Sequence, residues 1–109
     1  MSDKAEKRRR FPRIPSKHAV LVKRLSGEES EGLAATKSVG TGGCGFLSDE
    51  ELGTGSILEL LISVDRQVIR ATAEVIYDQP DPSGRRAIGV EFLELGEDDR
   101  VVLEQLTDE

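Results

Sequence analysis

The chain has 109 residues, 33% of them charged and 37% hydrophobic, with no tryptophan and a formal net charge of −6. That length fits one domain with a single, mainly aliphatic core. The absence of a long apolar run excludes a membrane-spanning helix, and one cysteine with one histidine excludes an internal disulfide and a clustered metal site.

The charge is unevenly spread. Residues 1–24 hold nine Lys/Arg against two Asp/Glu, or +7, while residues 25–109 hold six against nineteen, or −13. A basic N-terminal stretch therefore precedes an acidic body, which argues against a nucleic-acid surface beyond that stretch. No apolar segment follows Lys4–Arg13, so no signal peptide is expected, and the lone cysteine suits a reducing cytoplasm.

Met1–Lys7 is polar, has nothing to bury and is expected to be a disordered tail. Arg8-Arg9-Arg10-Phe11-Pro12-Arg13-Ile14-Pro15 places four arginines in six positions. The prolines fix φ and favour extended backbone, so residues 8–15 read as a stiffened arm. Guanidinium groups stay charged and match phosphate oxygens and the acceptor edge of guanine. The alternative for the arm is a solvated basic tail.

Ala19–Leu25 reads as a first strand, with His18 at its start as a structural or exposed residue, and Gly32–Val39 as a weaker second. Gly40-Thr41-Gly42-Gly43-Cys44-Gly45 carries four glycines in six positions, which opposes a helix and weakens a strand. It reads either as a tight turn or as a loop whose amide N–H groups face an anion or a base. No Gly-Lys-Ser/Thr ends it, so it is not the phosphate loop of nucleotide hydrolases. Cys44 is expected in the core.

Gly53-Thr54-Gly55 is a turn, Ile57–Ile62 a strand, and Val64–Gln67 a hairpin connection. Ile69, Ala71, Ala73, Val75 and Tyr77 alternate with polar neighbours, the clearest strand signal in the chain. This period puts Tyr77 in the core with its hydroxyl at the surface. Asp78–Gly84 reads as a loop, and Ile88, Val90 and Phe92 alternate in a last strand. Acidic Glu97, Asp98 and Asp99 precede Val102, Leu103 and Leu106 at helical spacing, which predicts a helix over 97–107.

The arginine arm, the glycine-rich stretch and the Gly89-Val90-Glu91-Phe92 strand together resemble the PilZ domain family over about residues 8–107. The resemblance implies a mainly β protein, a small six-stranded antiparallel β-barrel with a C-terminal helix, spanning 8–109. It implies a receptor for cyclic di-GMP that is no enzyme, needs no cofactor, and relays the second messenger to a protein partner through its arm. Monomer and homodimer both stay open.

The family's Arg-x-x-x-Arg is matched by Arg9 and Arg13, with Arg8 and Arg10 beside them. Its Asp/Asn-x-Ser-x-x-Gly falls on Ser38–Gly43: Gly43 keeps the last glycine, Ser38 stands for the acid or amide, and Gly40 for the serine. The resemblance thus implies ligand contacts from Arg8, Arg9, Arg10, Arg13, Ser38, Gly40, Gly42 and Gly43, with Lys37 and Thr41 at the margin. A hydroxyl in place of a carboxylate costs about tenfold in affinity, since bonds to charged groups are stronger by about 1 kcal/mol or more. Ser38 and Gly40 therefore motivate a second reading, an adaptor that has lost the ligand and works by protein contacts. A third, a small barrel binding RNA or DNA through the arm, lacks aromatics for base stacking. Neither a paired nucleophile and base nor a metal set marks an enzyme.

Overall fold

The computed structural model describes residues 13–27 and 30–107. The expected tail and residues 8–12 of the arm lie outside them. The described elements are β1 (Arg13–Pro15), β2 (Ala19–Arg24), β3 (Ser30–Gly40), β4 (Gly43–Ser48), β5 (Ile57–Val64), β6 (Gln67–Pro80), β7 (Arg86–Leu95) and α1 (Glu97–Thr107).

Six strands close into an antiparallel barrel in the order β2-β3-β4-β7-β6-β5, since β3 pairs β4 at the seam and β2 pairs β5. Among the described residues closure leaves no long unpaired edge in the ring, which removes an aggregation risk. β1 lies outside the ring, on β3 beyond the end of β2, with Arg13 opposite Gly40 and Pro15 opposite Ser38.

The period of two expected for β6 and β7 holds on β2 and β5 too, and fills the barrel. Val20 and Val22 on β2, Leu58, Leu60 and Ile62 on β5, Ile69 and Val75 on β6, and Ile88 and Val90 on β7 point inward and are buried. Asp65 and Arg66 form the β5–β6 turn with φ of 47° and 70°, the left-handed pair that a two-residue hairpin demands. Leu103 of α1 is fully buried and joins the same core, so the helix closes one end.

The glycine-rich stretch is largely not a loop. Gly43-Cys44-Gly45-Phe46-Leu47-Ser48 is a strand, and the turn is confined to Thr41 and Gly42. Cys44 and Phe46 face inward as core residues while the glycines let β4 sit tightly between β3 and β7. Pairing on both edges outweighs the weak strand propensity of glycine, which is a context-dependent bias of about 1 kcal/mol. β6 also runs on to Pro80, so Asp78 belongs to a strand and not to the loop that its turn-forming neighbours indicate.

Candidate functional site on the outer wall of the barrel

Two β-bulges shape the outer wall. On β3 the register slips between Thr36 and Ser38; Thr36 and Val39 are both buried, and the slip turns Ser38 outward. On β6 it slips between Val75 and Tyr77. Val75 is buried, but Ile76 and Tyr77 are both exposed, Tyr77 by 39%. Tyr77 is therefore not in the core, as strict alternation predicts. The extra residue, Ile76, reverses its face, the usual effect of a bulge.

These turns set up one cross-strand row. Ser38 pairs Gly45, Gly45 pairs Gly89, and Gly89 pairs Tyr77. The row reads hydroxyl, glycine, glycine, phenol across β3, β4, β7 and β6. A Cβ on Gly89 would stand 2.1–2.6 Å from Cε2, Cζ and Cδ2 of Tyr77, so the ring covers this glycine. A Cβ on Gly45 would meet the Ser38 Oγ at 3.2 Å and the Tyr77 hydroxyl at 3.7 Å. Two hydroxyls thus converge over a strip of bare backbone.

Arg13 closes one end of the strip. Its Nη2 donates to the Val90 carbonyl at 3.0 Å. A Cβ on Gly43 would lie 2.9 Å from that Nη2 and 2.1 Å from the Val90 oxygen, so only glycine lets β4, β7 and the guanidinium meet there. Gly42 is tied in by its carbonyl, which accepts the Phe92 N–H at 2.9 Å. Beneath the wall, burial pushes the Cys44 thiol up to about 12, although the Arg13 charge pulls the other way. Cys44 stays a protonated core group at neutral pH, and the positive charge nearby remains available to an anion.

The arm's root is fastened from below. The Ser16 Oγ and Thr36 Oγ1 hydrogen-bond at 2.6 Å, and the His18 N–H donates to the same Thr36 oxygen at 2.8 Å. β1 is thereby held against β3 whatever the residues before it do.

Of the expected contact residues, Arg13, Ser38 and Gly43 border this strip, Gly40 is opposite Arg13, and Gly42 is in the adjoining turn. Arg8, Arg9 and Arg10 lie outside the described residues. Lys37 is exposed on the β3 bulge. Sequence reasoning missed Tyr77, Gly45 and Gly89 as site residues. Its usable signal was a glycine on two neighbouring strands, but only the register shows them side by side.

A concavity elsewhere on the barrel does not suit an anionic ligand. A cavity of about 130 Å³ opens between Gly32, Ala34, Phe46 and Leu52, rimmed by Ser30, Ser48, Asp49 and Glu50. Its lining holds acids and no Lys or Arg, so it repels phosphates. Among the described residues, no three His, Cys, Asp or Glu side chains gather to hold a metal, and no helix is long and apolar enough to cross a membrane.

The Tyr77 contact makes one expectation concrete. In Gly89→Ala the ring must move, but a side chain can rotate away, so the fold survives with a loss of about 1 kcal/mol. Tyr77 is the only tyrosine in a chain without tryptophan, so its fluorescence reports the displacement directly. An unchanged tyrosine signal in the folded variant would contradict the ring's placement.

The sequence model of the PilZ domain matches residues 7–109. Among curated proteins none matches the chain. Solved structures with the same fold include the Bacillus subtilis inhibitor of motility MotI/DgrA, with a TM-score of 0.79 at 23% identity, covering 90% of this chain and 48% of that one. The PilZ domain of YcgR from Escherichia coli with c-di-GMP gives 0.69 at 17% identity, covering 91% of this chain and 88% of that one. The PilZ domain of CeSA from a cellulose-synthesizing bacterium gives 0.64 at 16% identity, covering 88% and 94%. The chain spans about half the length of MotI/DgrA and of MrkH from K. pneumonia, 48% and 50%. With a family match across residues 7–109 and the same barrel in these structures, this chain belongs to the PilZ domain family.

Proposed function

We propose that the chain is a cyclic di-GMP receptor without catalytic activity, which passes the ligand-dependent position of its arginine arm to a protein partner. The observation that carries this reading is the meeting of Arg13, Ser38 and Tyr77 around a glycine strip on one outer wall. Cyclic di-GMP presents two phosphates and two purines. The wall offers the exposed Tyr77 ring as a stacking face for a base, the Ser38 and Tyr77 hydroxyls beside it and a guanidinium at its end. Arg9, four residues before Arg13 in the chain, supplies the second cation of the arm. Arg8 and Arg10 stand beside it for the same role, and the amides of Gly42 and Gly43 adjoin the ligand. The similar structures of MrkH and YcgR are complexes with c-di-GMP, which supports the ligand class.

Calorimetric titration of cyclic di-GMP is expected to give binding in the micromolar range or tighter. A hydrogen bond to a charged group contributes about 1.5–3 kcal/mol, so Arg13→Ala or Arg9→Ala should weaken binding roughly 10- to 100-fold. Quenching of Tyr77 fluorescence should follow the same isotherm. No heat and no fluorescence change at protein concentrations of about 100 μM, where a micromolar complex saturates, would remove the proposal.

The hydroxyl of Ser38 and the bare Gly40 favour one rival, an adaptor that binds no dinucleotide. Gain of binding in Ser38→Asp with Gly40→Ser, absent from the unsubstituted chain, would select it.

A further inference from the structure

Glu91 is exposed on β7, directly opposite Gly43 on β4 and Glu74 on β6. Gly89, the glycine under Tyr77, is two residues earlier on the same strand and therefore on the same face, about 7 Å away. The neighbouring Val90 carbonyl is taken by the Arg13 guanidinium. Among the described residues Glu91 enters no ion pair. A carboxylate thus stands at the edge of the glycine strip, with a like charge across one strand boundary and, across the other, Gly43 beneath the Arg13 guanidinium.

We propose that Glu91 is the guanine-reading acceptor of this site, supplied from β7 where β3 offers only the Ser38 hydroxyl. The proposal rests on the cyclic di-GMP reading above. Guanine carries two adjacent donors, N1–H and the exocyclic N2 amine, and a carboxylate accepts both at once. A serine hydroxyl accepts with one neutral oxygen. A base stacked on the exposed Tyr77 ring, which covers Gly89, directs one edge towards the row of Gly43 and Glu91. The opposed Glu74 gains as well, because donors brought to Glu91 relieve two carboxylates held side by side. Glu91 is thus a specificity-determining residue, and it selects guanine against bases without the 2-amino group.

The test compares cyclic di-GMP with cyclic di-IMP, whose bases lack only that amine. The unsubstituted protein should prefer cyclic di-GMP by about tenfold, the worth of one bond to a charged acceptor. In Glu91→Gln, and equally in Glu91→Ala, the preference should shrink to about twofold, mostly through weaker cyclic di-GMP binding. The thermal midpoint should hold or rise, because removing one of two opposed charges relieves repulsion. That separates ligand recognition from a structural role. If cyclic di-GMP binds and the variants keep the full preference, Glu91 is overturned while the receptor reading stands. If both ligands bind more tightly to the variants with the preference intact, Glu91 competes for the arm's arginines instead, and the proposal is again overturned. If the unsubstituted protein binds neither ligand, both readings fall.

Discussion

Gly43→Ala is expected to lower the thermal midpoint by roughly 12–24 °C and to abolish measurable dinucleotide binding. The added Cβ would stand 2.1 Å from the Val90 carbonyl oxygen and 3.1 Å from its carbon. Both atoms are backbone inside the β4–β7 ladder, so no rotamer change relieves the clash. Overpacking costs typically 1–3 kcal/mol, and a rigid neighbour puts this site near 3 kcal/mol. For a domain of about this size each kcal/mol moves the midpoint by roughly 4–8 °C. The same Cβ would also fall 2.9 Å from Nη2 of Arg13, so the guanidinium loses its seat on Val90. Gly32→Ala is the matched control. Nothing lies within 4 Å of a Cβ there, and the residue is in the same sheet. It should be neutral or slightly stabilising, by about 0.5–1 kcal/mol from the reduced freedom of the unfolded chain. Equal midpoints for the two variants would refute the close approach at Gly43.

Asp78→Asn is expected to destabilise by about 3 kcal/mol at neutral pH, with the loss shrinking in acid. The Asp78 side chain is only 2% exposed. Its Oδ2 accepts the N–H groups of Leu52 and Gly53, each at 2.8 Å, and its Oδ1 accepts Nε of Arg86 at 2.8 Å. Arg86 also donates through Nη2 to the Asp78 carbonyl at 3.2 Å. This cluster holds the segment before β5, whose Leu52 is buried in the core. The Leu52 carbonyl is held in turn by Nη2 of Arg24 and the Ser56 hydroxyl, each at 2.6 Å. Taking one partner from a buried pair costs about 3–5 kcal/mol; Arg86 is 27% exposed, so the lower end applies.

The pH dependence follows from the same contacts. Burial alone would raise the Asp78 pKa, but the Gly53 N–H, the Arg86 guanidinium and the Leu52 N–H together hold it below its ordinary value of 3.8. A depressed carboxylate stabilises the fold fully above its unfolded value, near pH 4, and that contribution is lost as pH falls through the folded value. The asparagine variant has no such proton to gain. Denaturant midpoints for the two proteins should therefore differ most at pH 7 and converge as the pH falls through the lowered folded value of Asp78. A gap that stays constant with pH would show that the bonds to Asp78 do not depend on its charge.

Much of the barrel is legible in the chain because burial imposes a period of two. Ile69, Ala71, Ala73 and Val75, and Ile88 and Val90, each read as one alternating face, and each is buried. The acidic first turn and the spacing of Val102, Leu103 and Leu106 mark α1 at its observed bounds, Glu97–Thr107. Asp65-Arg66 lies in a connection too short for anything but a hairpin. The arginine arm, the glycine-rich stretch and the Gly89-Val90-Glu91-Phe92 strand together suggest the family.

The site is less legible. Gly43–Ser48 looks like a loop because glycine has poor strand propensity, and propensity is overruled when both edges of a strand find partners. Tyr77 looks like core because a bulge adds one residue without leaving a local mark; Ile76 resembles any other strand residue. Asp78 looks like the start of a loop because its partners, Leu52, Gly53 and Arg86, sit elsewhere in the sequence.

By itself, then, the sequence determined the alternation, the turns, the helix and the charged arm, since each follows from neighbours a few positions apart. Tertiary structure alone decided which glycines lie side by side, which way Ser38 and Tyr77 point, and that Glu91 stands beside Gly43. Those facts depend on register between distant strands, and a shift of one residue turns every side chain to the opposite face.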